Sequence, residues 1–143
     1  RVLFRSVKYH YLVSDKIDWT PYKGFVYTFD ETKDIAWLYL VSDMLITDYS
    51  SVMFDYSILN RPMLFFAYDL EDYKENLRGF YFDFVNDIPG PISRDTDQLI
   101  KDIKEYNEDN WKEKYKNYHD KFNGIDDGHA SQKVIDVIKK VSR

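Results

Sequence analysis

The pattern of apolar and polar residues predicts secondary structure most clearly between residues 43 and 69. An apolar run, Met44–Ile46, precedes a polar cluster, Thr47–Ser51, and apolar residues at helical spacing then continue as far as Arg61-Pro62. A second apolar run, Met63–Ala67, is typical of a buried strand. The pattern predicts a βαβ unit, whose crossover is almost always right-handed. The helical positions are Val52, Tyr56 and Leu59.

The rest of the chain predicts further strands and helices. Before the unit, we expect strands at 2–7 and 24–29 and a helix at 32–42, capped by Asp30 or Thr32. After it, the pattern predicts a short helix at 70–74, an aromatic loop or strand at 78–84, a break at 89–91, and helical segments near 96–106, 111–118 and 134–141. Asp95 or Thr96 is the expected cap of the first of these segments. The fold class is therefore α/β: a single Rossmann-like domain over 1–143, with a mostly parallel sheet and helices on both faces.

Composition narrows the possible functions. A net charge of −5 and a pI near 5.2 argue against nucleic-acid binding through phosphate neutralisation. The absence of cysteine excludes thiol catalysis and disulfides. This composition also fits a cytoplasmic location. No apolar run approaches the ~20 residues that span a bilayer, so we expect a soluble chain. Because it begins in a strand pattern without Met, we also expect a piece of a longer protein.

The polar cluster between the first strand and the helix of the unit is the candidate binding site. Backbone N–H groups at such a turn attract anions, and Ser50 and Ser51 add hydroxyl donors. The alternative is that these serines only cap the helix. A strict capping box is missing, because Met53 and Phe54 occupy the positions where it needs Glu or Gln. The residues alone predict an anion, most simply a phosphate.

His10 is the candidate for proton chemistry. It lies just past the first predicted strand, near Lys8, and is expected on the same sheet edge as the turn. A histidine there can donate to a phosphate oxygen or protonate a leaving group, although a structural role is the alternative. His119 is expected on a solvated helix face and His129 in a turn. No metal site is predicted, and no glycine-rich nucleotide fingerprint is present. Three tyrosines lie where a base or ribose can stack: Tyr49, Tyr68 and Tyr81.

Several segments resemble one enzyme family. They are LITDYSSVMFDYSILNRPMLFFAYDLEDY, LRGFYFDF, PGP and the ending DDGHASQKVIDVI. Together they are similar to the carboxyl-terminal half of the CDP-glycerol glycerophosphotransferases, the teichoic acid primases and polymerases of Gram-positive bacteria. The resemblance implies a two-domain GT-B enzyme whose carboxyl-terminal domain holds the cytidine nucleotide donor. The amino-terminal domain would supply the acceptor side and one of two important histidines.

The resemblance also implies roles for individual residues. His10, in KYHYLV, matches the second of the family's two histidines, usually written R-x-H-Y-L, and takes a catalytic role; Lys8 replaces the usual arginine. Asp48, Ser50 and Ser51 match the pyrophosphate-binding turn, where Thr47 assists. The implied reaction is attack of an acceptor hydroxyl on the β-phosphorus of CDP-glycerol, which releases CMP. No cofactor and no metal are implied.

These implications extend to partners and location. The acceptor would bind through the missing domain, so this piece is expected to bind the donor and to turn over poorly or not at all. The final helices, 95–143, are expected to pack on or cross back to that domain. The full-length enzyme would be peripheral at the inner face of the cell membrane.

Three alternative functions stay open: a GT-B transferase using CDP-ribitol or a nucleotide sugar, a non-catalytic nucleotide- or partner-binding domain, and a flavodoxin-like receiver or scaffold domain that binds Mg²⁺.

Overall fold

The computed structural model describes residues 5–8, 17–30, 32–77 and 79–141. Two compact units make up the chain, residues 1–42 and residues 43–143. Each unit contains its own parallel strands, so the predicted α/β class with parallel strands is confirmed. The candidate turn lies in the second unit.

The first unit pairs two short parallel strands. These are β1 (Arg5–Val7) and β2 (Val26–Thr28). Two cations at the β1 strand lie over aromatic rings. The Arg5 guanidinium is 3.9 Å from the centre of the Phe25 ring, and Lys8 Nζ is 5.6 Å from that of Phe29. Lys8, an exposed candidate residue, thus extends across its own small sheet.

The helix of the first unit, α1 (Ala36–Val41), is shorter than predicted. Its predicted cap is wrong, because Asp30 Oδ1 accepts hydrogen bonds from Thr32 N and Thr32 Oγ1 instead. Asp34 Oδ1 accepts from Ala36 N at 2.9 Å, four residues further along the chain than Asp30. The Asp30 hydrogen bonds close a local turn, and this delays the start of the helix.

The second unit contains the predicted βαβ arrangement. Its three-stranded parallel sheet has the order β3 (Leu45–Thr47), β4 (Met63–Phe66), β5 (Ile92–Ser93). The crossover helix between β3 and β4 is α2 (Val52–Ser57). The central strand, β4, is the most buried of the three. Because the strands are parallel, all three end at one edge of this sheet, which we call the carboxyl edge.

The core of the second unit joins α2 to a later helix, α6 (Lys112–Phe122). Tyr56 of α2 is completely buried, and Phe54 stacks on Tyr118 with ring centres 5.9 Å apart. Just after α6, the buried Asn123 donates from Nδ2 to Phe54 O at 2.7 Å. The helix that follows the candidate turn is therefore fixed by packing and by a long-range hydrogen bond.

The segment between β4 and β5 contains the predicted short helix, which begins at Leu70 but continues beyond Lys74. A short helix, α3 (Leu70–Asp72), continues as a π-helical turn, Tyr73–Leu77, and the aromatic segment then leads into α4 (Phe84–Asp87). Residues 89–91, the expected break, pack closely against the backbone of β4. A Cβ at Gly90 would lie 1.9 Å from Met63 O, so only glycine fits beside this strand.

The remaining helices follow their predictions closely. Asp95 caps α5 (Thr96–Lys104), because its Oδ1 accepts from Gln98 N at 2.8 Å. The last helix, α7 (Ala130–Val141), is amphipathic, yet its apolar side chains are all exposed. These exposed apolar residues of α7 are Val134, Ile135, Val137, Ile138 and Val141. Within the described ranges, no helix is both long enough and apolar enough to cross a bilayer.

Candidate functional site

The polar turn lies between the end of β3 and the start of α2. Thr47, the last residue of β3, is half-buried, whereas Asp48 is exposed. Asp48 Oδ1 accepts a hydrogen bond from Ser50 N at 2.8 Å, which closes a side-chain turn over two residues. The Asp48 carboxylate therefore shapes the backbone that carries Ser50 and Ser51.

The serine hydroxyls do not cap α2. Ser51 occupies the cap position, but its side chain makes no cap hydrogen bond. The backbone carbonyls of Ser50 and Ser51 accept from Met53 N and Phe54 N instead, at 3.2 and 3.0 Å. Among the described residues, neither Oγ has a hydrogen-bond partner. The capping alternative is thus not what holds this helix start together.

Two backbone donors accompany these hydroxyls. The N–H groups of Ser51 and Val52 have no acceptor within the part of the chain that the structure describes. With the two Oγ atoms, the turn presents four unused donors within three consecutive residues, 50–52. Because α2 has only six residues, these individual donors, rather than a long helix dipole, are what the turn would offer to an anion.

The carboxyl edge carries further polar side chains beyond this turn. Asp69 follows β4, and Arg94 follows β5 directly. Arg94 Nη1 lies 3.2 Å from Glu71 Oε1, in an ion pair that is about half exposed. Arg94 is therefore a cation at the same edge as the turn, held by a weak surface pair.

Tyr49 connects the turn to Asp69, which lies at the same carboxyl edge beyond β4. Its Oη donates to Asp69 Oδ1 at 2.8 Å, and its ring stacks on Tyr73 with centres 4.1 Å apart. Burial is the largest cause that raises the pKa of the Tyr49 phenol, and the hydrogen bond to Asp69 adds to it. Arg94 acts in the opposite direction on the same pKa. Tyr49 thus stays a neutral donor across the physiological range.

The structure bears differently on the other residues that the sequence singled out. Lys8 belongs to the first unit and the Thr47–Ser51 turn to the second, so their membership of one site stays a prediction. His10 lies outside the described residues, and its catalytic role also stays a prediction. His129 precedes α7 in a turn, as expected, where its N–H donates to Asp127 Oδ1 at 3.0 Å. The described ranges hold no group of three or more acidic or histidine side chains placed to bind a metal ion.

Sequence reasoning missed Arg94 and the partner of Tyr49. The position of Arg94 at a strand end was not predicted, because β5 is only two residues long. It follows a Pro-Gly-Pro segment, which predicts only a break. Asp69 lies 20 residues after Tyr49, so no local spacing connects them. One usable signal existed: polar residues that directly follow buried runs, such as Asp69 after Met63–Ala67, collect at the carboxyl edge of a parallel sheet.

The sequence matches a known protein family over nearly its whole length. The family model described as "CDP-Glycerol:Poly(glycerophosphate) glycerophosphotransferase" matches residues 2–140. The chain is 45% identical, over 136 residues, to a teichoic acid poly(glycerol phosphate) polymerase of Bacillus subtilis; the match covers 94% of the chain and 18% of that protein. It is 43% identical to a teichoic acid glycerol-phosphate transferase of Staphylococcus aureus, covering 94% of the chain and 34% of the relative.

Solved structures of the wall teichoic acid polymerase TagF share the fold. One superposes with a TM-score of 0.82 at 43% identity, covering 94% of this chain and 34% of that one. A variant of TagF soaked with CDPG superposes with a TM-score of 0.83, also at 43% identity and with the same coverage of both chains. TagF is a GT-B type enzyme, which supports the GT-B class that the resemblance implied. The chain spans about a fifth to a third of the length of these relatives.

Proposed function

The chain belongs to the CDP-glycerol:poly(glycerophosphate) glycerophosphotransferase family, and from this membership we propose that it is the donor-binding part of such an enzyme. The enzyme would transfer glycerol phosphate from CDP-glycerol to a teichoic acid acceptor and release CMP. The observation that carries the proposal is the group of four unused donors at residues 50–52.

These donors suit a diphosphate better than any other part of CDP-glycerol. Hydrogen bonds from hydroxyl and N–H groups to anionic oxygens are charge-assisted, and they are roughly twice as strong as neutral ones. Ser50 and Ser51 would therefore contact the diphosphate oxygens, and Thr47 lies close enough in sequence to assist. A direct contact from Asp48 would place two negative charges together. Its hydrogen bond to Ser50 N supports a turn-shaping role within the same site.

The chemistry that this site would support is a substitution at phosphorus. The acceptor oxygen forms a bond to the β-phosphorus, and the bond from that phosphorus to the bridging oxygen breaks. The bridging oxygen leaves with CMP and carries the electron pair and the negative charge, while the acceptor proton passes to a base. Positioned donors that stabilise the developing charge are the main contribution a protein makes to such a reaction.

His10 and Lys8 would complete the donor side of the site. A protonated histidine donates to a phosphate oxygen on the leaving CMP, and its ordinary pKa near neutrality suits that role. Lys8 would supply positive charge as a single ammonium group, without the two-pronged geometry of an arginine. The family match over residues 2–140, which includes both positions, supports these assignments.

The relatives' greater length defines what the chain would lack. We propose that the acceptor and the base belong to the part of the enzyme outside these 143 residues, so that this chain alone turns over poorly. The exposed apolar face of α7 would pack on that part, since its side chains are between 43% and 81% exposed. The intact enzyme would work at the inner face of the cell membrane as a peripheral protein.

A ribitol donor is the alternative that a specific observation favours. The chain is 45% identical, over 117 residues, to a teichoic acid poly(ribitol-phosphate) polymerase of Bacillus spizizenii, with 82% of the chain covered. Because the four donors address the diphosphate, they do not distinguish glycerol from ribitol. A magnesium-binding receiver domain is less well supported, because Asp48 and Asp69 already accept hydrogen bonds from Ser50 N and Tyr49 Oη.

Isothermal titration of the chain with CDP-glycerol tests the proposed function. We expect one-to-one binding, and we expect CMP and glycerol 3-phosphate each to bind at least about tenfold more weakly. Each lacks part of the diphosphate, and one lost charge-assisted hydrogen bond costs about 1.5 kcal/mol. CDP-ribitol serves as the competitor. Tighter binding of CDP-ribitol would transfer the assignment to ribitol, and no heat with either CDP compound at millimolar concentration would contradict the proposal.

A further inference from the structure

Tyr49 has a separate task in the turn, and the inference drawn from it builds on the proposed donor site. We propose that Tyr49 and Asp69 form a positioning pair that holds the 48–51 turn in its binding conformation. The two residues lie at the ends of neighbouring strands, β3 and β4. Their hydrogen bond, 2.8 Å from Tyr49 Oη to Asp69 Oδ1, connects the turn to the next strand end.

Aromatic contacts hold the Tyr49 ring independently of this hydrogen bond. Tyr73 stacks on it with the two planes 21° apart, and Phe80 and Phe84 approach at a tilt, with ring centres at 5.7 and 5.5 Å. Phe84 is buried and packs edge-on against Phe65 of the central strand, β4. The ring is therefore anchored to the core of the unit, and it is occupied as a stacking surface. This argues against the base-stacking role that the sequence suggested for Tyr49.

Asp69 is free to act as a dedicated acceptor. It occupies the cap position of α3, but its side chain makes no cap hydrogen bond. Within the described ranges, the Tyr49 hydroxyl is the hydrogen-bond partner found for its carboxylate. The pair therefore fixes Tyr49, and with it the backbone of the adjacent Ser50 and Asp48.

The consequence for binding is pre-organisation. A turn that is already fixed loses less conformational entropy when the diphosphate binds, so affinity rises without a direct contact from Tyr49. The ring contacts restrain where Tyr49 lies, while the hydrogen bond restrains how the turn is rotated against the sheet edge. Removing the hydroxyl alone should loosen the turn while leaving the aromatic packing in place.

The test compares Tyr49→Phe, Asp69→Ala and Asp69→Asn by titration of the chain with CDP-glycerol. We expect Tyr49→Phe and Asp69→Ala each to raise the dissociation constant about tenfold, and the double variant Tyr49→Phe/Asp69→Ala to raise it no further. Asp69→Asn keeps an acceptor oxygen and should restore most of the affinity. Tyr22→Phe, which removes a hydroxyl from a half-exposed tyrosine of the first unit, serves as the matched control with unchanged affinity.

A second readout separates this inference from the proposed function. In the ligand-free chain, Tyr49→Phe should shift the backbone amide signals of Ser50 and Ser51, and Asp69→Asn should shift them less. If the unaltered chain does not bind CDP-glycerol, the proposed function fails, and these amide signals still decide the positioning role. Unchanged amide signals, wild-type affinity in Tyr49→Phe, or additive losses in the double variant would each overturn the pair.

Discussion

Replacing Ser50 and Ser51 together by alanine is expected to raise the dissociation constant for CDP-glycerol by about 100-fold. Each hydroxyl would donate to an anionic oxygen, and a hydrogen bond to a charged group contributes about 1.5–3 kcal/mol. Losing two such bonds at the lower end removes about 3 kcal/mol, which corresponds to roughly two decades of affinity. The thermal midpoint should barely change, because neither Oγ has a partner among the described residues.

Ser57→Ala is the matched control for this double variant. Ser57 lies in α2 as well, but it is buried and its Oγ donates to Phe54 O at 2.7 Å. Its loss should lower the free energy of unfolding by about 1 kcal/mol and leave the affinity for CDP-glycerol unchanged. If the double variant instead binds with wild-type affinity, the two serines are ordinary turn residues and the proposed contact with the diphosphate is wrong.

Gly90→Ala is expected to cause a large loss of stability. The new Cβ would lie 1.9 Å from Met63 O and 2.9 Å from Met63 C, so the β4 backbone or the 89–91 segment must move. Overpacking of this kind costs about 3 kcal/mol, and a backbone obstacle cannot rotate away as a side chain can. Chemical denaturation of the chain, followed by circular dichroism, measures the change in the free energy of unfolding.

Gly128→Ala is the contrasting variant, because at Gly128 the backbone conformation, rather than a close neighbour, disfavours alanine. Gly128 has a φ of +76°, and nothing lies within 4 Å of the Cβ that alanine would add. Its cost should be about 1 kcal/mol, which reflects the backbone conformation alone. Equal losses at the two glycines would contradict the close approach of Gly90 to β4.

The βαβ unit was predictable because each of its signals is local. The apolar run that became β3, the polar turn and the start of α2 all lie within about ten residues, and their order allows few other folds. The buried face of α2 was predicted less well. Met53, Tyr56 and Ser57 are buried, whereas Val52 and Leu59 are only half-buried. The helix ends at Ser57, so the stripe expected from the sequence, which extends to Leu59, is longer than the helix itself.

Elements that depend on distant contacts were not predictable in this way. The two-residue strand β5 exists because Phe65 N donates to Pro91 O and Ala67 N donates to Ser93 O, at 3.0 and 2.9 Å. Neither bond leaves a pattern in the local sequence. Without β5, Arg94 had no predicted place at the carboxyl edge.

The candidate site likewise contains residues that were predictable from the local sequence and a contact that was not. Ser50 and Ser51 were identified from the local turn, and the structure adds that their hydroxyls are not used for capping. The hydrogen bond from Tyr49 to Asp69 depends on the pairing of β3 with β4, so it became visible only in the folded chain. The roles of Lys8 and His10 come from the family match and stay predictions.

The binding of CDP-glycerol at the 47–52 turn is tested most directly by ¹H–¹⁵N NMR titration of the chain. We expect the largest saturable shifts on the backbone amides of Ser51 and Val52, which have no acceptor among the described residues. The Ser50→Ala/Ser51→Ala variant should lose these shifts at the same ligand concentration. Saturable shifts confined to another surface, such as the polar hollow lined by Asn60, Lys112 and Lys116, with the amides of residues 47–52 unmoved, would contradict binding at the turn.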